Sequence, residues 1–339
     1  MNTKSDMYKA IYEFPKHIKD GLNNFNQNSN LNNNYDDITS IMILGMGGSA
    51  ITGLLIEEIL KQEIKQPIYV NKNYSIPKWV NKNTLIIASS YSGNTEETLS
   101  SCKKCIEKNC KIIAFSTGGK LLELLKDVSH TDYIKMPIGL QPRAAIGYSF
   151  TMMLKLLNEI GIVNDKMISS LKNSINPLIK KSKEYSTQNN LAYSIAEKIY
   201  NKNPIIYAED SIFNIIAYRF KCQLAENSKI LSFNNIIPEM NHNEIEAFTE
   251  KTKTQNNLLL IWINDTIDYR NKKRIEITSK ILKSKVTNQF TIKIEQSENK
   301  ILHYLNYINL VDWISYHCAT LNDVDSEIIP NINELKNSL

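Results

Sequence analysis

Between residues 38 and 140, short apolar runs alternate with helical patterns, which limits the fold more than any other feature of the chain. The runs are Ile41–Leu44, Pro67–Val70, Leu85–Ala88, Ile112–Phe115 and Tyr133–Met136, each bounded by Gly, Ser, Asn or Pro, and three of the four intervals between them carry a helical pattern. Strands that alternate with helices imply a parallel sheet covered on both faces. A weaker version recurs from about 190 to 300, with runs at Pro204–Tyr207, Lys229–Ser232, Leu258–Ile263 and Phe290–Lys293. Ser149 to about Lys183 reads as two helices punctuated at Asn164-Asp165 and Asn176-Pro177. An amphipathic pattern spans Leu302–Leu321, a short tail follows from Asp323, and the Asn-rich stretch 22–37 reads as a polar loop.

Composition excludes several classes. With 42% hydrophobic and 22% charged residues the chain has an ordinary globular mix, and 339 residues suit two domains at roughly 100 to 200 residues each. A formal charge of +5 spread over such a surface gives no electrostatic footprint for nucleic acid. No apolar run approaches the roughly 18 residues of a membrane helix, and Met1–Asp20 lacks the apolar centre of a signal peptide, so no membrane partner and a cytoplasmic location are expected. Cys102, Cys105 and Cys110 have no second Cys or His cluster to complete a tetrahedral site; they read as ordinary helix residues, and no metal is expected.

Two loops carry chemistry. The run Ile41–Leu44 leads into Gly45-Met-Gly47-Gly48-Ser49-Ala50 and then a helix, where backbone N–H groups and the helix dipole favour an anion. Gly45, Gly47 and Ala50 also fit a dinucleotide fingerprint, but the second run ends Val70-Asn71 without the acid that holds ribose hydroxyls. The second loop, Ser89-Ser90-Tyr91-Ser92-Gly93-Asn94-Thr95, sets Ser90, Ser92 and Thr95 around a glycine where another helix begins. Those hydroxyls suit phosphate oxygens; they equally suit helix capping. Two such loops after neighbouring parallel strands open on the same carboxyl edge, which favours a bound phosphate.

Gly45-Met-Gly-Gly-Ser49 followed by Ser90-Tyr-Ser-Gly-Asn-Thr95 resembles a sugar isomerase (SIS) domain. Further matches occur in order at Gln141-Pro-Arg143-Ala-Ala-Ile-Gly-Tyr-Ser149, Phe220-Lys-Cys-Gln-Leu-Ala-Glu226-Asn-Ser-Lys229, Pro238-Glu-Met-Asn-His242-Asn-Glu244 and Ile332-Asn-Glu-Leu-Lys336. Together they are similar to the bifunctional phosphoglucose/phosphomannose isomerases over about residues 40 to 339. The resemblance implies an α/β protein with two SIS subdomains, each a flavodoxin-like parallel sheet flanked by helices, plus a C-terminal helical tail. The expected boundaries are 1–37 for an N-terminal helix and polar leader, 38–148 and 190–300 for the SIS domains, 149–189 for linking helices, and 301–339 for helices that close the site.

The implied activity interconverts glucose 6-phosphate, and mannose 6-phosphate, with fructose 6-phosphate through a cis-enediolate, in glycolysis or gluconeogenesis and without a cofactor. By the same resemblance Glu226 is the base for the carbon-bound proton and His242 opens the sugar ring from the neighbouring subunit of a homodimer. Lys336 folds back to assist, Arg143 faces the developing enediolate, and Gly48, Ser49, Ser90, Ser92 and Thr95 bind the phosphosugar. Read without the resemblance, Glu226 is an exposed helical residue paired with Lys229, and His242, Arg143 and Lys336 are surface residues. Many members carry Val-Asp-Pro-Thr-Pro where this chain has Val324-Asp325-Ser326-Glu327-Ile328, and Ala225 stands where a polar residue is common. A SIS-fold phosphosugar sensor without catalysis, or another SIS phosphosugar isomerase, is the alternative; a sensor would require none of Glu226, His242 and Arg143.

Overall fold

The structure is a computed structural model that describes residues 5–250, 257–265 and 267–339. The chain divides into two compact units, one spanning Glu13–Ile179 and the other combining the N-terminal stretch through Tyr12 with Lys180–Leu339.

Along the chain, the helices begin with α1 (Asp6–Tyr12), α2 (Phe14–Asn23), α3 (Phe25–Asn28), α4 (Gly47–Leu60), α5 (Glu96–Glu107), α6 (Lys120–Leu125), α7 (Ile146–Glu159) and α8 (Asp165–Tyr185). The strands of the Glu13–Ile179 unit are β1 (Ser29–Asn30), β2 (Ser40–Leu44), β3 (Ile68–Asn71), β4 (Thr84–Ser89), β5 (Lys111–Ser116) and β6 (Thr131–Lys135). They form one sheet ordered β1-β6-β5-β4-β2-β3, in which β2 to β6 run parallel. In chain order, the parallel strands therefore lie 2-1-3-4-5, the flavodoxin-like arrangement, with its switch point between β2 and β4. Every residue of β4 is buried, as a central parallel strand covered on both faces requires.

The second unit adds α9 (Leu191–Ile199), β7 (Asn203–Glu209), α10 (Ile212–Ser228), β8 (Phe233–Ile237), β9 (Leu258–Ile263), α11 (Tyr269–Lys283), β10 (Gln289–Ile292), α12 (Lys300–Leu321) and α13 (Pro330–Ser338). Its parallel sheet is ordered β10-β9-β7-β8, which repeats the first four positions of the same topology.

Five sequence expectations need correction. The polar stretch 22–37 is not simply a loop: it contains α3 and β1, which pairs antiparallel with β6. Buried Asp132 on β6 holds it, accepting from Asn32 N (3.0 Å), Asn33 N (3.2 Å) and the Tyr35 hydroxyl. Lys229–Ser232 is not a strand; α10 runs through Ser228, and Lys229 caps it in the left-handed region at φ 59° while Ile230 N bonds back to Leu224 O. The true strand, β8, starts at Phe233. Asn176-Pro177 does not end a helix, since Pro177 lies inside α8, where the buried side chains of Leu171, Ile175 and Leu178 keep the helix packed.

The fourth correction concerns α12, which is buried on all sides rather than amphipathic toward solvent. Two of its polar positions, Asp312 and Ser315, face α10. Arg219 donates to Asp312 through Nε (2.9 Å) and Nη2 (2.6 Å), Gln223 adds a third bond to Asp312 (3.0 Å), and Asn227 and Ser228 reach Ser315 Oγ (2.9 Å) and its carbonyl (2.8 Å). Residues 219, 223 and 227 are one turn apart, so this seam fixes the rotation of α10 about its axis. Cys102, Cys105 and Cys110 all lie in the apolar core beside β4 and β5, with Cys110 in the turn before β5 rather than on a helix.

One buried titratable group makes a pH prediction. His17 on α2 is 3% exposed, stacks on Tyr148 at 4.7 Å, and its Nδ1 has no hydrogen-bond partner among the described residues. Burial, with the Lys16 charge as a lesser cause, lowers its pKa from 6.5 to about 4. The unfolded chain thus binds the proton more readily, and stability is lost as pH falls from 6.5 toward 4, by about 3 kcal/mol at most. Denaturant unfolding at pH 7 and pH 4.5 should show a smaller acid loss for His17→Phe than for the parent; equal losses would reject this role.

Candidate active site

At the end of β2 the chain turns through Gly45 and Met46 into α4. No side chain caps α4, whose N-cap is Met46, and Ser49 N is taken by Met46 O at 3.1 Å, so the amides of Gly47 and Gly48 are the ones left to a ligand. Gly47 has φ 52°, a left-handed conformation that suits glycine. Gly48 is needed for a different reason: a Cβ there would stand 2.9 Å from Pro142 O and 3.3 Å from Arg143 Cα. The short 3-10 turn Pro142–Ala144 thus rests directly on the first loop and brings Arg143 to it, with only 4% of its surface exposed. This is not the surface arginine that a reading without the resemblance suggests.

The second loop lies one strand away across the switch point. Thr95 is the N-cap of α5 but makes no capping bond; its Oγ1 pairs instead with Ser90 Oγ at 2.8 Å. Capping alone therefore does not account for these hydroxyls. The loop is braced from behind by the segment after β5. Thr117 N and Oγ1 donate to Tyr91 O at 2.9 and 2.8 Å, Leu121 N donates to Gly93 O at 2.9 Å, and a Cβ on Gly93 would meet Gly118 O at 1.8 Å. Ser90 is buried at 1% exposure while Ser92 is exposed. Two helix starts without side-chain caps on neighbouring strands, with hydroxyls beside them, are the kind of arrangement that favours a phosphate-sized anion. At the end of β3, Asn71 spends its amide on Asn73 O, Ser75 O and Ser101 Oγ, so the position that would need a ribose-binding acid is a structural anchor.

The corresponding crevice of the second sheet contains a carboxylate of the protein itself. Glu209, the last residue of β7, is 3% exposed and accepts from Ile267 N (2.7 Å), Asp268 N (3.0 Å) and Asn271 Nδ2 (3.0 Å). That internal carboxylate occupies the donors that a phosphate would need at this crevice. Sequence reading missed Glu209, since a strand-terminal Glu gives no signal of its own.

Glu226 lies in the last turn of α10, next to Asn227 in the α12 seam and turned about 100° from it. It lines a cleft of about 440 Å³ with Ala225, Lys229, Ile230, Leu231 and residues 328–332. Pro330, Asn331 and Ile332 of this wall open α13, and Lys336 on that helix is exposed and outside the lining. His242 ends the 3-10 turn Glu239–His242, is exposed, and does not line the Glu226 cleft either. Glu244, which sequence reading quoted without a role, anchors this loop: its carboxylate accepts from the Tyr207 hydroxyl at 2.5 Å and from Asn235 Nδ2. Burial, together with Glu244, pushes the Tyr207 hydroxyl far above its ordinary range, so it stays a donor. Among the described residues no group of three His, Cys, Asp or Glu side chains is placed to hold a metal, and no helix is long and apolar enough to cross a membrane.

Residues 188–339 match the bacterial phospho-glucose isomerase C-terminal SIS domain. Over 338 residues the chain is 38% identical to a bifunctional phosphoglucose/phosphomannose isomerase of Caldicellulosiruptor bescii, covering 98% of each chain. The chain belongs to this family. A second bifunctional phosphoglucose/phosphomannose isomerase, from Thermoplasma acidophilum, is 34% identical over 88% of this chain and 89% of its own. In fold, the chain is similar to the C-terminal domain of a glucosamine-fructose-6-phosphate aminotransferase from Francisella tularensis, with a TM-score of 0.74 at 15% identity, over 96% of this chain and 99% of that one. Two flavodoxin-like sheets flanked by helices are thus the SIS architecture expected of the phosphoglucose/phosphomannose isomerase family.

The close approach of Gly48 to the Arg143 turn can be tested. Gly48→Ala forces that turn away by a few tenths of an ångström and should weaken inorganic phosphate binding, measured by calorimetry, about tenfold. Unchanged affinity would mean that the first loop takes no part in holding the anion.

Proposed function

We propose that the chain is an aldose-ketose isomerase that interconverts glucose 6-phosphate and mannose 6-phosphate with fructose 6-phosphate. The observation that carries this reading is the pair of uncapped helix starts after β2 and β4, a dianion receptor within a chain-long member of the family. In the proposed reaction Gly48, Ser49, Ser90, Ser92 and Thr95 hold the phosphate, and its binding energy positions the sugar. His242 transfers the proton that opens the ring, supplied across a homodimer by the neighbouring subunit, with Lys336 assisting. Glu226 then removes the C2 proton of the aldose; the C–H electrons form the C1–C2 double bond of the enediolate, and the same carboxyl returns a proton to C1. Arg143 is the permanent cation that stabilises the negative oxygens in between. Glucose and mannose phosphates differ only at C2 and lead to the same enediolate, so one base serves both.

The reading uses side chains and backbone amides alone, in a cytoplasmic enzyme with no nucleic-acid or membrane partner. Its position is sugar-phosphate metabolism, in glycolysis or gluconeogenesis. Glu226→Gln keeps the shape of the side chain and removes the base. Turnover in a coupled fructose 6-phosphate assay should fall by at least about a thousandfold, with binding of a phosphosugar inhibitor nearly unchanged; parental turnover would sink the assignment. Activity should also survive exhaustive dialysis against a chelator. A loss restored by zinc or magnesium would mean that the proposed chemistry is incomplete.

A further inference from the structure

Lys229 closes the motif that contains Glu226, yet the proposed chemistry gives it no task. Its ammonium donates to three carbonyl oxygens: Glu226 O at 2.7 Å, Asp325 O at 2.8 Å and Ile328 O at 2.8 Å. The first belongs to the last turn of α10, where unpaired carbonyls and the negative end of the helix dipole favour a cation. The other two belong to the segment before α13. The residue adopts the left-handed conformation that stops α10, φ 59°, and this directs the side chain of a helix-terminal residue toward the tail.

The segment it grips links α12 to α13. From Val324 to Ile329 there is no proline to fix the backbone; besides the lysine's own bonds, Val324 N donates to Ala319 O at 3.1 Å, Asp325 Oδ1 accepts from Glu327 N at 2.7 Å, Glu327 Oε1 accepts from Met7 N at 3.2 Å, and Ser326 is buried. Beyond the segment, α13 has no buried residue, and Leu335 and Leu339 are 61% and 81% exposed. Packing therefore does not decide where α13 stands, although its first residues form a wall of the Glu226 cleft.

We propose that Lys229 is a positioning residue, a clasp that holds the 325–328 segment to the end of α10 and so sets the α13 wall of the Glu226 cleft. This rests on the reading of Glu226 as the base. The lysine acts through the tail and touches no reacting atom. Its effect is on how long the cleft is correctly shaped around the reacting carbons rather than on how the phosphate is held. It should therefore register in kcat more than in KM.

The test is a double-mutant cycle in the full chain and in one ending at Ile328, a truncation that removes no buried side chain. In the full chain Lys229→Met should lower kcat about tenfold with KM for glucose 6-phosphate changed less than about threefold, a misplacement effect. Lys229→Arg, which keeps the charge and several donors, should recover part of it. Hydrogen exchange at amides 325–338 should accelerate in Lys229→Met. In the truncated chain, itself slower than the parent, Lys229→Met should cost no further activity. An equal loss in both backgrounds, or no loss in the full chain, would overturn the clasp. Glu226→Gln measured alongside separates the two readings: if it retains turnover the base assignment fails, whereas if it is inactive and the cycle shows no coupling, only the clasp fails.

Discussion

The bidentate contact between Arg219 and Asp312 is the constraint on which the unit that carries Glu226 rests. Both groups are almost wholly buried, so separating them would strand a charge at a cost of about 3 to 5 kcal/mol. With Gln223, Asn227 and Ser228 the pair locks α10 against α12 over more than two turns. Once that rotation is fixed, Glu226 must leave the seam and enter the cleft beside residues 328–332, and Lys229 must emerge where the tail passes. A seam of apolar residues would hold the helices together equally well, but it would specify their rotation less sharply.

The two sheets share a topology and differ in one decisive side chain. In the first, α4 and α5 begin without side-chain caps beside Ser90 and Thr95. In the second, Glu209 satisfies Ile267 N, Asp268 N and Asn271 with its own carboxylate. In the proposed reading the two sheets divide the work: the first receives the anion at its switch point, and the second fills the equivalent crevice with Glu209 and carries on a helix the carboxylate proposed as base. The small net charge of +5 is compatible with the proposed site, in which helix amides and hydroxyls would receive the phosphate without a basic surface.

Strands buried on both faces were legible in the sequence because their apolar runs are local signals, and the two loops were legible because glycine and serine stand where strand meets helix. What stayed hidden depends on partners far along the chain. The polar positions of α12 suggest a solvent face until Arg219 and Gln223, about ninety residues earlier, are seen to meet Asp312. The leader 22–37 has no apolar period, and its order comes from Asp132. Ile230-Leu231 looks like a strand because apolar composition does not distinguish a strand from a helix stop, and the left-handed residue at Lys229 decides it. Glu226, His242, Arg143 and Lys336 drew attention only through a resemblance; residue type alone assigned them to the surface, and for Arg143 burial reverses that reading.

The central claim is that a carboxylate moves a carbon-bound proton between C1 and C2 of a phosphosugar. The most direct measurement is proton NMR of the hexose phosphate pool after incubation of the enzyme with glucose 6-phosphate in deuterium oxide. The account predicts fructose 6-phosphate with solvent deuterium at C1, and mannose 6-phosphate with deuterium at C2, because a proton held on Glu226 exchanges with solvent before it is returned. Fructose 6-phosphate formed with complete retention of the original hydrogen would indicate direct hydride transfer, and no product at all would indicate a binding protein; either result contradicts the account.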